Sequence, residues 1–402
     1  MYKKSFENLR TYIENQEYKG WDPYDGLNSK LFQSIPFLKN SRLMRLIWIQ
    51  VFKRNPMNFR DLTGVEKAYN PKGLGLFLSG YCKLYQFDRT QEVRSRIHFL
   101  SQKLLQLQSK GWSGACWGYN FDWQARAFFQ PKGTPSVVVT SYVGNALLDA
   151  YEVTGYEELL DTAIKIKDFI LKDLNRSYAG NGDFCFSYSP LDHTKVFNAS
   201  LLGSRMLARI YHYTQEEELL DAARRSVRFS INRQNTDGSW TYGTLPYHQW
   251  IDNFHTGFNL EALSEYRRYT NDTSFNDQIQ LGLEYYLQNF FTDEGIPKYY
   301  NKSTYPIDIH CPAQLPITLS SLNVLKENKQ LVDRVLRWTI TNLQDPSGYF
   351  YFQAGKRRKI KIPYIRWAQA WMFLSLATYF LQQTNIESDS SQKDEQLAIN
   401  KE

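Results

Sequence analysis

Four stretches of the chain gather the residue types that acid–base and sugar chemistry require. CWGYNFDWQARAFFQPKGTP (116–135) holds Trp117, Tyr119, Asn120, Asp122, Trp123 and Arg126. YGTLPYHQWIDNFHTG (242–257) holds Tyr242, His248, Trp250, Asp252, Asn253 and His255. Asp308, His310 and Gln314 follow in YPIDIHCPAQ, and Tyr364, Arg366 and Trp367 in PYIRWAQAW. Aromatic rings stack on the apolar faces of sugars while amides, guanidinium groups and tyrosine tips bond hydroxyls. Two carboxylates flanking a glycosidic bond can hydrolyse it, with Asp122 and Asp252 the first candidates, Asp308 the third, and Asp22 and Asp25 of GWDPYDGL outsiders. A lyase instead needs an amide or arginine on the substrate carboxylate and a Tyr or His to take the C5 proton. Asn253, His255, Tyr119 or Tyr242, and Arg366 suit that task. A C5 or C2 epimerase would reuse the same groups, and His310 is a further catalytic candidate whichever reaction applies. The structural alternative is that the aspartates cap helices and the tryptophans plug the fold.

Residues this far apart meet only if repeating elements bring them to one face. Glycine–aromatic turns recur as NGDFCFSYSP, DGSWTYGTLPYHQW, EGIPKYYN and SGYFYFQAG, and Gly182, Gly238, Gly295 and Gly348 lie 56, 57 and 53 residues apart. Each turn is followed by an apolar helical stretch and then a more charged one, with apolar residues at i, i+3, i+4 and i+7. EELLDTA (157–163) and EELLDAA (217–223) start two of the charged stretches, with acidic residues in the first turn. Six inner helices are expected at 71–86, 137–153, 197–213, 255–270, 313–325 and 366–381. Five have an outer partner behind them, so residues 1–60 must supply the sixth, and the apolar segment 29–54 is the candidate. The expectation is one all-α domain over 1–382, an (α/α)6 toroid with short β-hairpin turns between helix pairs. The polar stretch 383–402 is expected to be a disordered tail.

The segment QNTDGSW (234–240) resembles the QxxDGxW repeat of terpenoid cyclases, and the helix-pair pattern of 70–381 is similar to that superfamily and to the six-hairpin glycosidases. The resemblance implies the toroid and a ligand site at one mouth of the ring. No DxDD run of the kind triterpene cyclases use is present, and His310-Cys311 has no second Cys/His pair to complete a zinc site, so no metal or cofactor is expected. Carbohydrate-active members remain: hydrolases, lyases and epimerases. The chain also resembles bacterial proteins associated with surface-polysaccharide synthesis, which implies peripheral association with such a complex. A non-catalytic glycan-binding scaffold and an isoprenoid-handling toroid are the competing classes.

Composition narrows the partners. The chain has 402 residues and a net charge of +7, with aromatic residues at 16%, including 28 Tyr. The run AGKRRKIKIPYIR (354–366) concentrates positive charge ahead of the last inner helix, which would draw an acidic glycan to the rim. Acidic or neutral glycans are therefore the expected substrates, and no nucleic-acid module is recognisable. The N-terminus lacks an apolar run and no segment approaches a membrane span, so a cytoplasmic location is expected.

Overall fold

The computed structural model describes residues 1–399, with side chains as far as 385. Helices too apolar to face water on any side form the inner ring. Val137–Thr154 and Phe197–Thr214 are buried nearly all round, as expected of a helix with neighbours on every face. With Pro71–Phe87, Asn253–Thr270, His310–Ser321 and the final helix Trp371–Ile399, they pack in sequence order, and the last returns to the first. Outer helices Gln91–Gln106, Glu157–Ile164, Glu217–Ile231, Asn276–Asn289 and Lys329–Leu343 stand behind the inner ones and bury one stripe each. One apolar core runs through the ring from Phe6 to Tyr379.

The repeated turns explain both the spacing and the closure. Gly238 lies at φ 90, and a Cβ there would sit 2.3 Å from the Leu281 carbonyl oxygen of the next outer helix. Only glycine combines that backbone with so close an approach. Gln234 donates its side-chain amide to the Gly238 carbonyl and to Gln278 of the same neighbouring helix, both at 2.9 Å. Gln344 does the same at the last turn, donating to Gly348 and to Ser5 at 2.9 and 3.0 Å. A Cβ on Gly348 would sit 2.3 Å from the Asn8 carbonyl oxygen. The helix Tyr2–Asn15 therefore occupies the sixth outer position.

The apolar segment 29–54, expected in that place, goes elsewhere. Its helices Lys30–Ser34, Pro36–Asn40 and Arg42–Arg54 pack on one another and on Asp25–Asn28, and the last borders the strand Trp123–Gln124. Hairpin ladders form only at some connections. Trp123–Gln124 pairs with Phe129–Gln130, Arg176–Tyr178 with Phe184–Phe186, and Ile307–Asp308, Gln353–Ala354 and Lys359–Ile360 make a three-stranded sheet. The DGSW turn has no ladder; its Trp240 is buried and donates to the Ser230 carbonyl at 3.1 Å. The polar stretch expected to be disordered from 383 is helical in its backbone to Ile399, and residues 400–402 lie outside the described residues.

Candidate functional site

The connections that enter the inner helices all arrive at one end of the ring, where they wall a cavity of about 570 Å³. Helix N-termini converge there: Asn70, Ser136 and Asp252 each cap an inner helix by accepting a backbone N–H three residues on. At the opposite end a larger, charged cavity of about 680 Å³ holds Arg205, Arg209, Glu261 and Asp149 in mutual ion pairs or beside them. Lys72 and Phe258 floor the mouth cavity while Tyr142, in ring contact with Phe258, belongs to the rear one.

The Asp252 cap does more than start a helix. Besides the His255 backbone N–H at 3.0 Å, its carboxylate accepts from the Trp250 indole at 2.9 Å and bonds His255 Nδ1 at 2.7 Å. A carboxylate on Nδ1 holds the proton there and leaves Nε2 as the lone-pair nitrogen. His255 lines the cavity with its ring against Tyr242, 4.7 Å between centroids, and Tyr242 stacks on Trp250 at 4.6 Å. His248 stands edge-on to Tyr242 and Trp250.

His310 is the second imidazole of the floor. Phe254 lies against both histidines, with its centroid 4.4 Å from each, and stacks face to face on His310. Trp371 closes the other side at 4.2 Å. Both His310 ring nitrogens are buried without a hydrogen-bond partner. Burial, then Lys72, His255 and Arg366, push its pKa well below the usual histidine value. A neutral imidazole follows. Asp308, two residues earlier at the end of the strand Ile307–Asp308, accepts the His310 backbone N–H at 3.0 Å, the Trp367 indole N–H at 2.8 Å and the Gln353 side-chain amide at 3.2 Å. Burial raises its pKa to about 6.

Positive charge completes the floor. Arg366 is placed by a π-helical turn, Ile365–Ala370, a form that often marks functional positions. It donates to both oxygens of Asp22, at 2.5 and 2.8 Å, and lies 5.1 Å from the centroids of Tyr119 and Trp367. Lys72 Nζ stands over the rings of Tyr142, Phe258 and Trp371 at 4.2, 5.2 and 5.3 Å. Burial, followed by the charge of Arg366, depresses its pKa well below the usual lysine value. Lys53, Arg54 and Arg126 add charge to the walls.

Of the residues singled out from sequence, Tyr119, Trp123, Arg126, Tyr242, His248, Trp250, His255, His310, Arg366 and Trp367 line the cavity. Asp252 and Asp308 stand one layer behind and orient those that do. The others are directed away by their own packing. Asp122 accepts the Lys132 backbone N–H at 2.7 Å and stabilises its own loop, so it is not one of a facing carboxylate pair. Trp117 is fully buried and donates to the Leu104 carbonyl; Asn120 accepts from Asn70. Asn253 is buried against the Tyr286 hydroxyl, and Gln314 donates to Glu261 and Thr318 beneath the floor. Tyr364 packs its ring against the buried Arg60, 4.7 Å away. Sequence reasoning passed over Lys72, Lys53, Tyr24, Tyr188, Tyr299, Tyr300 and Phe254. A signal existed for Lys72: it is the only charged residue in the first two turns of an otherwise apolar helix, behind the cap–proline pair Asn70-Pro71.

Solved structures share this fold over most of their length. Cellobiose 2-epimerase from Bacillus thermoamylovorans matches with a TM-score of 0.60 at 12% identity, covering 78% of this chain and 88% of that one. The fold is an (α/α)6 toroid. A GH76 α-mannanase from Bacteroides thetaiotaomicron matches at TM-score 0.59 and 14% identity, covering 78% and 88% of the two chains. A D-mannose isomerase matches at 0.59 and 12%, covering 78% and 87%. No protein-family model matches the sequence, and a search of curated proteins returns no match. One toroid serves several chemistries, so the chemistry must come from the site itself.

Proposed function

We propose that this chain is a carbohydrate-active enzyme that moves a proton at the carbon beside the carbonyl of a reducing sugar, as an epimerase or isomerase. One observation carries the reading. Two imidazoles, His255 and His310, flank Phe254 on the floor of a cavity that no described carboxylate lines. His255, oriented by Asp252, is the base: its Nε2 takes the C2 proton of the open-chain sugar. The resulting enediolate gains negative charge, which the Arg366 guanidinium stabilises and to which the Lys72 amine donates a hydrogen bond from the floor. Return of the proton to C1 gives the ketose. Delivery to C2 from the opposite side gives the epimer; His310, across Phe254 from His255, is placed for that step, taking up a proton from solvent as the sugar's negative charge enters the site and giving it to C2. The aromatic walls of Trp250, Tyr242 and Trp123 hold the sugar ring or the next unit of a glycan.

Four cations, Lys53, Arg54, Arg126 and Arg366, line the cavity beside Lys72, whose charged form burial disfavours, with no opposing carboxylate among the lining residues. An anionic sugar, such as a uronate or a phosphate-bearing one, fits that field. The similarity to a cellobiose 2-epimerase and a D-mannose isomerase supports the reaction type. The similarity to the α-mannanase keeps hydrolysis as the second reading, but a hydrolase needs two carboxylates at the substrate. Asp252 and Asp22 are engaged by His255, Trp250 and Arg366. Incubating the purified protein with neutral and anionic reducing sugars, with product analysis by NMR, tests the proposal. The expected result is an epimer or ketose, formed fastest from an anionic sugar and lost by about 10²–10⁴-fold in His255→Ala, with an epimer, though not a ketose, lost to the same extent in His310→Ala. Release of new reducing ends from a glycan, unaffected by both variants, would contradict it.

A further inference from the structure

The apolar segment that stands outside the sixth outer position, which Tyr2–Asn15 fills, has a surface the catalytic reading does not use. Among residues with described side chains, eight of the fifteen large exposed apolar residues fall between 31 and 62. Phe37 is 74% exposed, Leu43 65%, Met57 65% and Leu62 84%. In Arg42–Arg54 the exposed Leu43, Ile47 and Val51 repeat every four residues and share one face. The buried Ile49 and Phe52 lie on the face that holds the helix to the protein. From Ser29 to Arg60 there are seven Lys or Arg and no Asp or Glu. Among the described residues only Lys30 and Arg60 of those seven form ion pairs, with Glu66 and Asp25. A protein partner of ordinary composition would not require so one-sided a charge, whereas a helix with an apolar face and a basic flank is built for the boundary between headgroups and acyl chains.

We propose that residues 30–62 dock this protein onto an anionic lipid bilayer, with Leu43, Ile47, Val51 and Phe37 entering the interface and the neighbouring cations meeting the headgroups. Leu46, Gln50, Lys53 and Arg54 of the same helix line the mouth cavity, so docking sets the mouth beside the headgroups. The attachment is peripheral, since no helix among the described residues is long and apolar enough to cross a membrane. The hairpin between Gln353–Ala354 and Lys359–Ile360 exposes a further three cations, Lys356, Arg357 and Arg358.

Co-sedimentation of the full chain with vesicles tests this. The protein is expected to pellet with phosphatidylcholine vesicles containing phosphatidylglycerol, to remain in solution with phosphatidylcholine alone, and to be released by high salt. Replacing Leu43→Ser, Ile47→Ser and Val51→Ser together should lower partitioning by about tenfold or more. Because these side chains are exposed and do not line the cavity, the triple variant should keep the wild-type melting curve. Recovery of the wild type in solution with both vesicles would overturn the proposal, as would equal binding to neutral vesicles. A wild-type dimer that the triple variant abolishes, with no vesicle binding by either, would assign the surface to a second copy of the chain and overturn it too.

Discussion

Asp252 links fold to chemistry through one carboxylate that both starts a helix and orients His255. The two roles separate under substitution. Asn caps a helix about as well as Asp, but its side-chain NH₂ cannot accept the His255 Nδ1 proton. Asp252→Asn should therefore keep its melting temperature within a few degrees while turnover falls by about 10²–10⁴-fold. A stable variant with unchanged turnover would remove Asp252 from the mechanism. Asp308 makes a separate prediction, in stability. Its folded-state pKa of about 6 lies above the usual 3.8, so between those values the folded chain holds a proton that the unfolded chain has released. Its contribution is present below pH 3.8 and is lost as the pH rises through about 6. Asp308→Asn, which cannot ionise, should flatten the loss of thermal stability between those limits. Parallel melting curves for the two proteins across that window would show that Asp308 is already ionised in the fold.

At the scale of elements, the sequence made the repeat legible because turn chemistry is local. The positive φ of Gly238 and Gly348 is what a DG or SG turn announces, though the close carbonyls of Leu281 and Asn8 are not, and helix periodicity in the outer ring follows from burial on one side. The sixth outer helix was misassigned for a related reason. Tyr2–Asn15 is amphipathic and polar, as outer helices are, while 29–54 drew attention by its apolar content, which in fact reflects an exposed surface. The decisive signal was the Gln344–Gly348 pair, whose counterpart Gln234–Gly238 clasps the next outer helix. What that glutamine touches is not a property of its own neighbourhood in sequence. Gly348→Ala should destabilise the protein by roughly 2–4 kcal/mol, combining a positive φ with a clash against Asn8. Gly111→Ala is the control: Gly111 also has positive φ but meets nothing within 4 Å, so the cost should be only about 1 kcal/mol. Equal losses in chemical denaturation would mean that the ring does not close through Gly348.

Over the whole molecule, the toroid accounts for the convergence of the site and for the limits of reading it from sequence. Loops 116–135, 242–257 and 305–310 and the π-turn at Ile365–Ala370 reach one mouth because every inner helix points its N-terminus that way. The sequence could say that these loops meet; it could not say which side chains face inward. Asp122 and Trp123 are neighbours, and one serves its loop while the other lines the cavity. Lys72 escapes because it stands alone in sequence, and Tyr188 because it is one of several aromatics in the NGDFCFSYSP turn; each gains its meaning only from the ring. The absence of lining carboxylates among the described residues, against three histidines and four cations, is likewise a property of the assembled mouth. It is also what separates proton transfer from bond hydrolysis.

The most direct measurement follows from that distinction. The protein would be incubated in D₂O with the same neutral and anionic reducing sugars and the C1 and C2 proton signals followed by NMR. Proton transfer through His255 predicts loss of the C2 signal as solvent deuterium enters with product, in the wild type and not in His255→Ala. Product formed with no solvent deuterium under any condition, or glycan cleavage with the C2 protons retained, would contradict the account.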